Sequence, residues 1–190
     1  MTKIIGILNL TLDSFSDGGM YYDLESAKKH ISEMITQGAD IIDIGAESTR
    51  SGFSDVSADT QINTLAPIIE FINKNHDIKI SIDTRSSEVI NAFSSQNILF
   101  VNDVSSGFHD KNMLKTVSHL KCNYIMTHMP AEHQKGLNKK YNNVLDELNI
   151  FFNERIKSCI DQGIDKEKII IDPGIGFGKS GDDNIKILEN

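Results

Sequence analysis

The chain has 190 residues, 39% of them hydrophobic, which suits one domain with a substantial core and is short for two. Its formal net charge of −8 argues against a surface that wraps nucleic acid or lies on an anionic membrane, because both select for positive charge. Any anionic ligand must therefore be held locally, and the two cysteines, Cys122 and Cys159, read as buried, inert thiols in a reducing compartment.

In chain order, the opening MTKIIGILNL carries a short apolar run broken at Asn9, with no small-residue cleavage site after it. No later stretch approaches the ~18 apolar residues of a membrane span, so a cytoplasmic protein is expected. Six runs rich in Ile, Val, Leu and Tyr read as buried strands: KIIGILN (3–9), DIIDIG (40–45), IKISID (78–83), NILFVN (97–102), NYIMTH (123–128) and KIIID (168–172). Helical spacing fills the intervals, over 57–75, over 144–162 and over LESAKKHISEMITQG (24–38). In the last of these Ala27, Ile31, Met34 and Ile35 share a face and Gly38 can end the helix.

Buried strands alternating with helices predict an α/β fold with a parallel sheet, either doubly wound or closed as a (β/α)8 TIM barrel. Asn9, Glu47, Asp83, Asn102, His128 and Asp172 each stand at or just after the C-terminal end of a run. A doubly wound sheet gathers ligand groups at one switch point, whereas a barrel draws them from nearly every strand, so the barrel is favoured. A barrel closes with eight strands over ~250 residues. About six of eight βα units are expected here, in a single domain over 1–190 that is incomplete at its C-terminal end.

The strand-end loops carry the chemistry. LNLTLDSFSDGG (8–19) offers Asn9, Asp13 and Asp17 as oxygen donors of the kind that suit Mg2+, although an ordinary Asp/Ser/Gly turn has the same composition. GAESTRSG (45–52) places Thr49 and Arg50 in a glycine-bearing loop, where a guanidinium can clamp a phosphate or carboxylate; a solvated surface arginine is the bland alternative. SIDTR (81–85), VNDVSSG (101–107) and IIIDPG (169–174) bring Asp83, Asn102 and Asp172 to one mouth, a set able to read the hydrogen-bonding edge of a 2-amino-4-oxo-pyrimidine. Each could instead cap the following helix. His128 is expected to be structural, and His30, His76, His109, His119 and His133 to be solvated. PGIGFGKS (173–180) fails as a phosphate loop, because Pro173 stands where the pattern needs glycine and Gly174 leaves the spacing one residue short.

With these motifs in this order, the sequence resembles dihydropteroate synthase, the folate-pathway enzyme targeted by sulfonamides, over residues 3 to 190. The markers are NLTLDSFSDGG, DIGAESTRSG, SIDTR, VNDVSSG and DPGIGFGK. The resemblance implies a transferase that joins 6-hydroxymethyl-7,8-dihydropterin diphosphate to 4-aminobenzoate, releasing pyrophosphate and 7,8-dihydropteroate. It implies that Asp172, Asn102 and Asp83 hold the pterin edge, that Asn9 ligates Mg2+ on the diphosphate, and that Thr49 and Arg50 line the diphosphate and aminobenzoate region. Phe15, Ser51 and Phe177 would shape the aminobenzoate slot, and Asp83 and Asp17 would face the cation that develops on the pterin methylene.

Leu12, Ser51 and Thr127 depart from the family's proline, proline and methionine. The family's later cationic residues, and most of its homodimer surface, fall outside these 190 residues, so little synthase activity is expected of this chain alone. Two other readings stand beside this one: a non-catalytic pterin-binding module, and the pterin-binding part of a methyltetrahydrofolate methyltransferase. The DSFSDGG and ESTRSG loops argue against the latter.

Overall fold

The structure is a computed structural model that describes residues 2–10, 24–50, 52, 54–96 and 98–190. Its six strands are β1 (Ile5–Asn9), β2 (Ile41–Gly45), β3 (Lys79–Asp83), β4 (Ile98–Asp103), β5 (Asn123–Thr127) and β6 (Ile169–Asp172). The helices are α1 (Leu24–Thr36), α2 (Ala58–Asn75), α3 (Ser87–Ala92), α4 (Met113–Leu120), α5 (Ala131–Gln134), α6 (Val144–Asp161) and α7 (Gly181–Leu188). The expected strands begin and end within about two residues of the observed ones, and α1, α2 and α6 lie where helical spacing predicts them.

All six strands are parallel and pair in the unbroken order β1-β2-β3-β4-β5-β6. A doubly wound sheet must reverse its strand order at a switch point, and this sheet does not, so the arrangement is that of a TIM barrel wall. α1 packs on α2, α2 on α3 and α3 on α4, which wraps the early helices along the outside of the sheet.

The strands are held chiefly by their outward-facing apolar residues, which pack against the helices. Ile42, Ile44, Ile80, Ile82, Val101, Tyr124 and Met126 are buried in one hydrophobic cluster with Ile31, Leu65, Ile68, Ile72, Val117 and Phe152 from the helices. Gly6 marks the outer face: a side chain there would lie 2.8 Å from the Met34 sulfur on α1. Alternation along each strand then turns the odd positions of β2 and β3, Asp43, Gly45, Ser81 and Asp83, toward the inner face. Cys122 and Cys159 are buried free thiols, and burial pushes both above the ordinary thiol value. Among the described residues no helix is long and apolar enough to cross a membrane.

Ile80 is fully buried between sheet and helices. Ile80→Ala is expected to destabilise the fold by about 2–5 kcal/mol through lost burial and a residual cavity, measured as a lowered urea midpoint.

Candidate active site

Parallel register builds the site's first feature. Asn9 pairs with Gly45, Gly45 with Asp83, and Asp83 with Asn102, so these residues form one lateral row across the C-terminal ends of four strands. Gly45 is the gap in that row: a Cβ there would sit 3.1 Å from the Asp83 Cβ and 3.4 Å from its Oδ2. On the far side Thr127 pairs with Asp172 one layer higher. The helix-capping alternative fails for this set. The N-caps of α2, α3, α4, α6 and α7 are Ser57, Ser86, Asn112, Asn143 and Ser180.

A buried acid that sequence reasoning missed lies beneath this row. Asp43 is 4% exposed in the middle of β2, and its Oδ2 accepts from Asn102 Nδ2 at 3.0 Å. That bond fixes the amide, leaving the Asn102 carbonyl oxygen as an acceptor for a ligand N–H. Among the described residues no partner lies in hydrogen-bonding geometry to buried Asp43 Oδ1 or Ser81 Oγ, although the two groups are near neighbours. The available signal was an acid within an apolar run, DIIDIG.

Burial raises the Asp43 pKa above the usual carboxylate value, against the pull of Ser81 and Asn102. Asp83 is raised well above it, chiefly by desolvation and further by the charges of Asp43, Asp103 and Glu47, with Arg85 opposing. Asp103, facing the helices, is also raised by burial although Tyr124 Oη, Ser105 Oγ and the Ser105 and Gly107 amides all donate to it. Among the described residues the cluster is thus short of positive charge and of N–H donors, a setting that suits a protonated or amino-bearing group.

The loop after β2 and the end of β6 are each tied down by the chain itself. Arg85, 4% exposed, donates from Nε to Glu47 Oε2 at 2.8 Å and from a terminal nitrogen to Asp55 Oδ1 at 2.8 Å, while Glu47 Oε1 accepts from the Val56 amide at 3.1 Å. This pins the loop that carries Thr49 and Arg50 at its root. Asp172 is oriented by the Gly174 amide at 2.8 Å and the Thr127 hydroxyl at 3.3 Å, so the threonine that departs from the family pattern supports this acid.

Lys179 is 4% exposed and its ammonium donates to the carbonyls of His128, Gly174 and Phe177, which removes it from any phosphate-cradling role. Burial lowers its pKa to about 8 against the pull of Asp172 and Asp183, so it remains charged at neutral pH. His128 is buried, its pKa pushed down to about 4 by desolvation and by Lys179 and Lys139, and it stays neutral as a structural residue.

Asn9 ends β1 exposed on the rim, Arg50 is exposed, and Thr49 and Phe177 are half-buried. Asp13, Phe15, Asp17 and Ser51 lie outside the described residues. Among the described residues no group of three or more His, Cys, Asp or Glu side chains gathers to hold a metal. The expectation that His133 is solvated is wrong: its Nε2–H donates to the Thr49 carbonyl at 3.0 Å and its ring lies against Phe177, with centroids 4.7 Å apart.

Comparison with known proteins agrees with this geometry. The family model described as pterin binding enzyme matches residues 5–190. A dihydropteroate synthase of Clostridium beijerinckii is 39% identical over 189 residues, covering 100% of this chain and 68% of that protein. The chain belongs to the dihydropteroate synthase family. Among solved structures, the Xanthomonas albilineans dihydropteroate synthase with 4-aminobenzoic acid superposes with a TM-score of 0.88 at 36% identity, over 99% of this chain and 67% of that one. The same enzyme in complex with 7,8-dihydropteroate gives a TM-score of 0.83 at 34% identity, over 99% and 66%. The chain thus spans about two thirds of the length of these family members, and its six-stranded wall corresponds to part of a TIM barrel.

Two predictions follow from the charges. A carboxyl whose folded pKa lies above its unfolded value binds more protons when folded. It therefore subtracts stability as pH rises from about 4 through the raised value, and the penalty is complete above it. Asp83→Asn is expected to raise the thermal midpoint at pH 7, about 1 kcal/mol corresponding to roughly 2–4 °C at this chain length. The advantage should vanish near pH 4 in calorimetric scans, and a variant no more stable than the parent at pH 7 would contradict the charge reading. Arg85→Met leaves Glu47 buried and unpaired and is expected to cost about 3–5 kcal/mol in urea unfolding, most of it recovered by adding Glu47→Leu.

Proposed function

We propose that this site binds 6-hydroxymethyl-7,8-dihydropterin diphosphate and 4-aminobenzoate and condenses them to 7,8-dihydropteroate and pyrophosphate. The observation that carries this reading is the row of Asp83 and Asn102 above buried Asp43, with Asp172 on the facing strand. A ring edge bearing adjacent N–H donors matches carboxylates that accept and an amide held as an acceptor.

The residues divide by task. Asp172, held by the Gly174 amide and the Thr127 hydroxyl, receives ring N–H groups in a fixed direction. Asn102, turned by Asp43, accepts one further hydrogen bond from the ring. Asp83 gives up its raised pKa when donors arrive, and its carboxylate then faces the positive charge that develops on the pterin methylene as the diphosphate departs. Asp17 is the second candidate for that role. Thr49 and Arg50 line the diphosphate and aminobenzoate side, where the guanidinium offers paired donors to phosphate or carboxylate oxygens. Phe15, Ser51 and Phe177 flank the aminobenzoate ring, whose amine attacks the methylene once water is excluded.

Asn9 fits a magnesium ion. It is an exposed oxygen donor at the rim, of the kind that serves as a lone protein ligand beside phosphate oxygens and water. When bound there, the ion would neutralise charge on the diphosphate. A homodimer and a cytoplasmic setting belong to the same proposal.

Isothermal titration of the purified chain with 6-hydroxymethylpterin diphosphate and Mg2+ tests the reading. Micromolar binding is expected, weakened at least about 100-fold by Asp172→Asn, since a buried N–H loses its charged acceptor. Equal binding by parent and variant would overturn the assignment of Asp172.

A further inference from the structure

The segment after β5 crosses the rim and touches two substrate-side loops at once. Within it, the His133 Nε2–H donates to the Thr49 carbonyl at 3.0 Å, and the Gln134 carbonyl accepts from the Gly52 amide at 3.0 Å. On its other side the His133 ring lies tilted against Phe177, with centroids 4.7 Å apart and planes at 38°. The Gly178 carbonyl accepts from the Lys139 amide at 2.8 Å. The approach is tight: Gly178 has φ +57°, and a side chain there would meet Pro130 Cγ at 2.7 Å and His133 Cβ at 3.4 Å. α5, a single helical turn, therefore bridges the β2 loop and the β6 loop through one histidine, by a polar bond on one edge and a ring contact on its face.

We infer that His133 is a positioning and specificity-determining residue that sets the width of the aminobenzoate slot. The inference rests on the proposed assignment of Thr49 and Phe177 to that slot. Thr49 and Phe177 come from strands on opposite sides of the site, β2 and β6, which make no direct pairing with each other. The spacing between their loops is left to whatever spans them, and His133 is the side chain that contacts both. The imidazole Nε2–H satisfies the Thr49 carbonyl, while the ring face supports Phe177. Loss of the imidazole leaves the β2 loop held to α5 by the Gly52–Gln134 backbone bond alone and removes the support of Phe177, which widens the slot while the acids below remain in place. No residue of α5 is buried, so substitutions here leave the core intact.

The test uses the full chain with His133→Ala and His133→Gln. The first arm needs no ligand: amide hydrogen exchange at Gly52 and over 174–179 is expected to speed up about tenfold in His133→Ala. His133→Gln, which keeps an N–H for the Thr49 carbonyl, should recover the Gly52 protection alone. The second arm titrates 4-aminobenzoate into chain saturated with 6-hydroxymethylpterin diphosphate and Mg2+. The dissociation constant for aminobenzoate is expected to rise about tenfold in His133→Ala, with pterin diphosphate affinity and thermal midpoint unchanged. Unchanged exchange in the first arm would overturn the bridge. Faster exchange with unaltered aminobenzoate affinity, or an equal loss for both ligands, would overturn the specificity role. Parent chain that binds no pterin diphosphate would instead refute the functional reading, and the exchange arm would still decide the bridge.

Discussion

Parallel pairing in unbroken sequence order is the constraint from which the site follows. Because each strand lies beside its sequence neighbours and runs the same way, every strand's C-terminal end reaches the same rim. One residue of register then decides which side chains meet. Asn9, Gly45, Asp83 and Asn102 stand level because β1 to β4 pair as they do, and the missing side chain at Gly45 leaves the space that the Asp83 carboxylate fills. A bulge between Ile80 and Ser81 in the β3–β4 pairing brings Asp83 and Asn102 into register after an offset lower down.

Charge is handled differently on the two faces of the sheet. Outside, Asp103 gathers four donors and organises the turn after β4, and Arg85 neutralises Glu47 beneath the β2 loop. Inside, Asp43 and Asp83 are held near one another with few donors, so burial and mutual repulsion favour their protonated forms. The outer acids are satisfied by the chain itself, whereas the inner pair has few donors among the described residues, a setting that N–H groups would relieve.

Much of this was legible in the sequence. The six strands could be read because buried parallel strands are short apolar runs bounded by turn residues, and the placing of Asp83, Asn102 and Asp172 at one rim because each closes such a run. Asp43 was harder to read, since an acid inside a run looks like noise until register turns it inward beneath Asn102. Arg85 lay within a motif that was noted, yet its partners Glu47 and Asp55 are 38 and 30 residues away. Lys179 reads as a loop cation, and only the fold reveals that three carbonyls converge on it. His133 carries no local signal, because its meaning depends on two loops from distant strands closing on either side of it. Residues 11–23, among them Asp13, Phe15 and Asp17, stand outside the described residues.

The sequential strand order also fixes when the recognition groups become available during synthesis. Each strand finds its partner in the one made just before it, so the wall can grow at one edge as the chain leaves the ribosome, without waiting for distant segments. The rim groups arrive in that order: Asp43, then Asp83, then Asn102, and last Asp172, 70 residues after Asn102. The inner acids are therefore made well before β6. Over that interval these acids depend on the hydrophobic layer outside the sheet to keep them in place.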